Sequence, residues 1–433
     1  MTTKHPRPGG SSGLSLLGAA DPHLARRDEI LETASQLFAS RGLRTSLQEI
    51  ADACGIKPGS LYHHFDSKEA IVVELVHRYH AELDRIADTV RAELKGTEPG
   101  DITGTITALG TAVAECAVRH SVAVHFSFNE PPAGAGPELV KMANRTPRGI
   151  EAAMLQALEI GRAGGVIRPG VDLAMLADRM CQTMLHVGLG FFHRFAAVDR
   201  VAAALCGILL HGVAATPPKT AELDRSDALA AVERVIEHWH EGDEVADDDR
   251  AASIRAVARA EFGRRGYEVT TVRDIASAAG MSTGSVYRVI GSKEELLTSI
   301  MRSFFEKSVA GWDAAFASDS TPLEKLDAVA WLHINVMDRF NDEFKIQLAW
   351  QRQSPPDTID LGWSFSALLR RLTALLREGE ASGQLRLDQG PTPLMARCVV
   401  ELTWVPEHII EEAGKRGALK HQRDVVLRGV AKR

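Results

Sequence analysis

Gly55-Ile56-Lys57-Pro58-Gly59-Ser60-Leu61-Tyr62-His63-His64-Phe65-Asp66-Ser67-Lys68-Glu69 is written a second time in this chain. The second copy reads Gly280-Met281-Ser282-Thr283-Gly284-Ser285-Val286-Tyr287-Arg288-Val289-Ile290-Gly291-Ser292-Lys293-Glu294, at a constant offset of 225 residues (Gly59 to Gly284, Lys68 to Lys293). A repeat of this length decides the architecture before any single element does.

Around the first copy, Ile30, Ala34, Leu37 and Phe38 fall at i, i+4, i+7 and i+8, the spacing of a helix with one apolar face. Gly42 suits its left-handed cap. Ser46, with Glu49 three residues on, predicts a capping box opening a second helix whose core face is Leu47, Ile50, Ala51 and Cys54. Gly55 makes the turn. Pro58 fits the first turn of a third helix, anchored by Leu61 and Phe65. Ser67 caps a fourth helix. In the second copy Ile254, Val257, Ala258 and Phe262 retrace the first helix, and Thr271, Val272, Ile275, Ala276 and Gly280 retrace the second, after one extra residue in the turn.

The 433 residues allow two to four domains, and the composition, 45% hydrophobic and 25% charged, is that of ordinary globular protein. No apolar run reaches the ~18 residues of a membrane span, and the Gly-, Ser- and Pro-rich start lacks a signal-peptide core, so a cytoplasmic protein is expected. Cys54, Cys116, Cys181, Cys206 and Cys398 are scattered without a CxxC pair and read as buried free thiols. The net charge of −7 does not exclude nucleic acid, because acid is concentrated elsewhere, notably from Glu241 to Asp249.

Long helical stretches follow each head. In the first, Leu173, Leu176, Met180, Met184, Val187 and Leu189 keep helical spacing over a predicted helix from Asp172 to Phe195. In the second, Pro406 must kink or break the penultimate helix. Both stretches run out in a matching motif, Leu210-His211-Gly212-Val213-Ala214 and Leu427-Arg428-Gly429-Val430-Ala431, so the whole unit is duplicated. The expected division is a disordered tail (1–24), a first head (25–71), a first helical body (72–216), a linker with a helix carrying Leu229, Val232, Ile236 and Trp239 on one face (217–249), a second head (250–297) and a second body (298–433).

In the order Thr-(Ser/Thr)-apolar-x-x-Ile-Ala, Gly, Gly-Ser-x-Tyr, Ser-Lys-Glu, both copies resemble the TetR family of transcriptional regulators. The resemblance covers the heads closely and the bodies by length, helicity and terminal motif. It implies an all-α fold of two tandem units, each a three-helix helix-turn-helix head and a helical ligand-binding, dimerising body. The chain is similar to a subset of actinobacterial regulators with two units in tandem, which includes repressors linked to mammalian-cell-entry lipid-transport operons.

Such a head places its third helix in the major groove. That predicts base-facing Lys57, Ser60, His63 and His64 in the first head, and Ser282, Thr283, Ser285 and Arg288 in the second, with Pro58, Gly59 and Gly284 at the helix starts. By the resemblance, Gln48 and Arg273 reach the groove from the second helix and Tyr62 and Tyr287 meet the backbone. Lys68 and Lys293, with their helix N-termini, suit phosphate, and Ser46 and Thr271, which open the second helices, are further DNA-binding candidates. Arg pairs with guanine and Gln with adenine. Val289, where the first copy has His64, offers no hydrogen bond. The family also implies an effector pocket. Phe126, Phe128, Met180, Met184 and Phe191 are its candidates in the first body, and Trp331, Phe344, Trp350 and Trp404 in the second, although the same residues also read as plain core. Their chemistry implies an apolar or lipid-like effector.

No cofactor or metal is expected, since adjacent His63 and His64 point in different directions on a helix. No nucleophile elbow, phosphate loop or paired-carboxylate motif is present. The expected function is a ligand-responsive repressor, acting as a monomer with an internal pseudo-dimer on an asymmetric operator in double-stranded DNA. The alternatives are a non-switching architectural DNA binder, which a body without a pocket would favour, and a helical enzyme or interaction scaffold, which failure to bind DNA at low salt would favour.

Overall fold

The computed structural model describes residues 22–41, 45–127, 135–189, 196–240, 249–267, 269–353 and 365–432. Residues 1–21 of the expected tail and residues 241–248 of the acidic run lie outside them. Every regular element among the described residues is helical, and the chain divides into two compact units, residues up to Ile71 and Val72–Arg433. No helix among them is long and apolar enough to cross a membrane.

The smaller unit is the first head: α1 (Pro22–Arg41), α2 (Leu47–Ala53), α3 (Pro58–Tyr62) and the start of α4 (Lys68–Leu94). Its core is Ile30, Leu31, Ala34, Phe38, Ile50, Leu61 and Phe65; Leu31 takes the buried place expected of Leu37. The Ser46 hydroxyl accepts from the Glu49 amide at 3.2 Å, and the Glu49 carboxylate accepts from the Ser46 amide at 2.7 Å. This reciprocal box satisfies two otherwise orphan donors. Gly55 then turns the chain at a left-handed φ of 65°.

The larger unit contains the first body, α5 (Ile102–Arg119), α6 (Ser121–Ser127), α7 (Pro137–Ala143), α8 (Arg148–Ala163), α9 (Leu173–Val187) and α10 (Val198–His211). The expected helix to Phe195 stops at Val187, capped by Gly188, and residues 190–195 lie outside the described residues. Next come α11 (Thr220–Leu223) and α12 (Asp227–Glu237). α12 is no free connector. It packs on α16 and α17 of the second copy, burying Ala228, Leu229 and Val232; Trp239, just beyond it, lies edge-on to Phe340 at 5.4 Å. Ile236, expected on the same face, is half-buried.

The second head is α13 (Asp249–Arg265), α14 (Val272–Ala278) and α15 (Thr283–Ile290), followed by α16 (Lys293–Ala317), α17 (Pro322–Arg339), α18 (Asn341–Gln353), α19 (Phe365–Ala381), α20 (Thr392–Thr403) and α21 (Glu407–Gln422). Pro406 separates α20 from α21 outright, because its ring cannot continue the helix. α13 rests on α18, where Arg259 reaches the buried Glu343 at 3.4 Å.

The two bodies join inside the larger unit through α9 and α10 against α20, α21 and the π-helical turn Arg423–Leu427. The duplicated end motifs are exchanged between the bodies. Arg168 N–H donates to Val430 O at 2.8 Å and Lys432 N–H to Val166 O at 2.7 Å. In the matching place of the other copy, Arg386 N–H donates to Val213 O and Ala215 N–H to Gln384 O, both at 2.8 Å. The ends cross at Gly212 (φ 71°) and Gly429 (φ 75°), where a Cβ on either would lie 2.4 Å from Leu427 O or 2.2 Å from the His211 carbonyl carbon. The receiving edges are themselves a repeat, Gly161-x-x-x-Gly165-x-Ile167-Arg168 and Gly379-x-x-x-Gly383-x-Leu385-Arg386.

Candidate nucleic-acid interface and effector cavity

The third helix of each head offers an exposed face. Lys57, Gly59, Ser60, Tyr62 and His63 are exposed in the first, with Pro58 half-buried at its start. Ser282, Gly284, Tyr287 and Arg288 are exposed in the second, with Thr283 and Ser285 half-buried. Tyr62 and Tyr287 are the most exposed large apolar side chains among the described residues, at 53% and 48%. Gln48 and Arg273 are exposed on α2 and α14; Gln48 donates to Asp52 at 2.7 Å, and Arg273 and Arg288 make no polar contact among the described residues.

Several of the expected residues also make contacts within the chain. His64 is half-buried, and its carbonyl accepts from Arg27 at 2.6 Å. The hydroxyls of Ser46, Thr271 and Ser282 cap helices, with Ser282 Oγ also 2.8 Å from Ser285 Oγ. The Lys293 ammonium donates to the Tyr267 carbonyl and lies 4.1 Å above that ring. Lys68 is half-buried in the first turn of α4.

In the second body a cavity of about 310 Å³ opens between α16, α17, α18 and α20. Phe344 and Trp404 line it as expected. Trp331 does not; the Arg416 guanidinium covers its ring at 4.3 Å. In the first body Phe126, Met180 and Met184 are buried, and a Cβ on Gly110 would lie 2.6 Å from Cys206 Sγ and in ordinary contact with Met184. Phe128, Phe191 and the side chain of Trp350 lie outside the described residues.

The cavity is less apolar than expected. One wall stacks His333, Trp404 and Phe344, with centroids 4.0 and 4.1 Å apart. His333 Nε2 accepts from the Trp312 indole at 3.1 Å, so Nδ1 carries the proton toward Thr403 Oγ1 at 2.8 Å. Complete burial pushes the pKa of His333 down to about 3 and keeps it neutral. The other side is polar, and part of it comes from the first body: Arg179, Gln182, Thr183 and His186 of α9. Glu401 pairs with His186 at 3.2 Å, and Asp178 with His408 at 2.7 Å. The sequence reading missed this contribution, since Arg179 and Glu401 meet only through the joining of the bodies.

Glu82, Cys116 and His120 of the first body form the one group of potential metal ligands found among the described residues. Glu82 is already bound by Arg119 and by His120 at 2.8 Å, and burial pushes the Cys116 thiol up to about 12, away from the thiolate a metal needs.

The family model for bacterial regulatory proteins, tetR family, matches residues 30–75 and 254–300. Over 193 residues the chain is 33% identical to the HTH-type transcriptional repressor KstR2 of Rhodococcus jostii (strain RHA1), covering 44% of this chain and 91% of that one. It is 33% identical over 159 residues to KstR2 of Mycolicibacterium smegmatis (strain ATCC 700084 / mc(2)155), covering 35% of this chain and 72% of the relative. A solved structure of the ketosteroid transcriptional regulator KstR2 of Mycobacterium tuberculosis aligns at 27% identity with a TM-score of 0.34, over 42% of this chain and 89% of that one. The Rhodococcus relative, nearly whole, fits within less than half of this chain, as two tandem units require. With a complete helix-turn-helix head at each match, the chain belongs to the TetR family of bacterial regulatory proteins, which are DNA-binding transcriptional regulators and not enzymes.

Proposed function

We propose that this protein is a ligand-responsive transcriptional repressor whose two unlike heads, in one chain, read an asymmetric operator. The observation that carries the reading is the pairing of exposed positions: Lys57 with Ser282, His63 with Arg288, and Gln48 with Arg273. A homodimer applies identical residues to both half-sites and selects a near-palindrome; these heads would not. The internal exchange of end motifs supports a monomer that carries its own pseudo-dimer. The repressor sense is supported by the relatives, which are named as repressors. The tandem layout favours the actinobacterial mammalian-cell-entry subset as the nearest functional parallel, and the cytoplasm as its place of action.

A coupling route supports switching. α18 lines the cavity with Phe344 and Lys345 and carries α13 of the second head on Asp342 and Glu343. An occupant that moves α18 must disturb α13, because packed interfaces do not deform continuously.

Selection of binding sites from random DNA by the intact chain tests the reading. Two unlike half-sites are expected, guanine-rich on the Arg273 and Arg288 side. Arg288→Ala should cost about 1–3 kcal/mol at one half-site only, and His63→Ala should affect only the other. A perfect inverted repeat, equally weakened in both halves by either change, would defeat it.

A further inference from the structure

We infer that the cavity contains an anion subsite built by Arg179, and that its occupant is an amphiphile ending in a carboxylate. The inference rests on the effector reading above and names the ligand class.

Arg179 stands on α9 of the first body, which with Gln182, Thr183 and His186 lines one side of a cavity built mostly by the second. Its side chain is 1% exposed. Nη2 donates to Leu402 O at 2.6 Å and to Gln422 Oε1 at 3.0 Å. Nη1 is buried and makes no hydrogen bond. Among the described residues no carboxylate forms an ion pair with it; Glu401 and Asp178 act on it only from a distance, and they pair with His186 and His408.

Arg423, equally buried, has the usual remedy. Two bonds of 2.8 Å join it to Asp327, and Asp224 adds a third at 2.6 Å. A buried guanidinium with no direct ion pair and an unpartnered Nη1 is costly, and an anionic ligand would supply the missing partner. Burial lowers the pKa of Arg179 only to about 10, so the charge persists at neutral pH. A planar carboxylate matches the fork of a guanidinium.

Away from Arg179 the walls are Phe304, Trp312, Phe344 and Trp404, which suit an apolar tail. A cavity of about 310 Å³ holds roughly ten non-hydrogen atoms at about 30 Å³ each. Octanoate has this size and both chemistries.

The test titrates the full-length chain by calorimetry with octanoate and with methyl octanoate, which keeps the tail and removes the charge. Octanoate should bind roughly tenfold tighter or more. Arg179→Gln should bind acid and ester alike, at the affinity of the ester, while Trp404→Ala should weaken both equally. A purely structural Arg179 would not discriminate between them. Equal affinity of the unaltered chain for acid and ester overturns the subsite and leaves the effector cavity standing. If neither compound binds and no amphiphile of this size frees the chain from its selected DNA, the effector reading itself falls, and the subsite with it.

Discussion

The recognition helix of the first head ends at Tyr62 after five residues, whereas that of the second runs for eight, to Ile290. The caps differ: the first helix ends at an αR His63, whereas the second ends at Gly291, where the first copy has Asp66. Gly291 adopts a left-handed φ of 71° and donates its N–H to Tyr287 O at 2.9 Å, which lets the helix continue to its cap. The anchors differ too. In the first head the Arg27 guanidinium lies 4.1 Å above Phe65 and binds the His64 carbonyl. In the second those places hold Ala251 and Ile290, and Lys293 over Tyr267 supplies the cation instead. Duplication kept what the fold demands, the capping boxes, the left-handed turn glycines Gly55 and Gly280 and the buried Leu61 or Val286, while the exposed positions diverged.

The bodies can be separated most sharply by acid. His333 and His421 of the second are buried and pushed down to about 3, and His80 of the first to about 4, chiefly by burial. Each is neutral in the fold, so its stabilisation is present above the unfolded value near 6.5 and is lost as pH falls. At about 1.36 kcal/mol per unit and site, acidification to pH 5 should cost the second body about 4 kcal/mol and the first about 2. Hydrogen exchange at pH 5 and 7, corrected for intrinsic rates, should show the second body opening first. Equal losses would break the contrast.

Where the copies agree, substitutions should agree. Gly212→Ala and Gly429→Ala each force a Cβ into facing backbone at positive φ, and each should cost about 3 kcal/mol in thermal unfolding. Unequal costs would mean that the crossing is not the symmetric element its geometry suggests. Smaller still, Arg27→Ala and Lys293→Ala should each loosen one head by about 1 kcal/mol. In competition binding with the two half-sites separated, each change should lower affinity for its own half-site only.

The heads were legible because their signals are local. A cap, its partner three residues on and a glycine at the turn lie within one short window. The length of α15 was not read, although Gly291 was visible, because its meaning depends on a backbone angle. Pro406 announced its break. The cavity was half legible: Phe344 and Trp404 could be named as bulky apolar residues, but Arg179 and Glu401 lie on different copies and come together only when the bodies join. The receiving edge at Gly161–Arg168 is written twice, but its role depends on a partner segment 261 residues away and was not read from the sequence.

The crossing of the end motifs has a consequence for synthesis. Arg168 is satisfied by Gly429, 261 residues further along the chain. At roughly 5–20 residues per second, a ribosome needs about 13–50 s to cover that distance. For that interval the nascent first body carries an open backbone edge at Val166–Arg168 and cannot close on itself. Translation speed through the second half thus sets how long the first half stays exposed to chaperones and to neighbouring nascent chains.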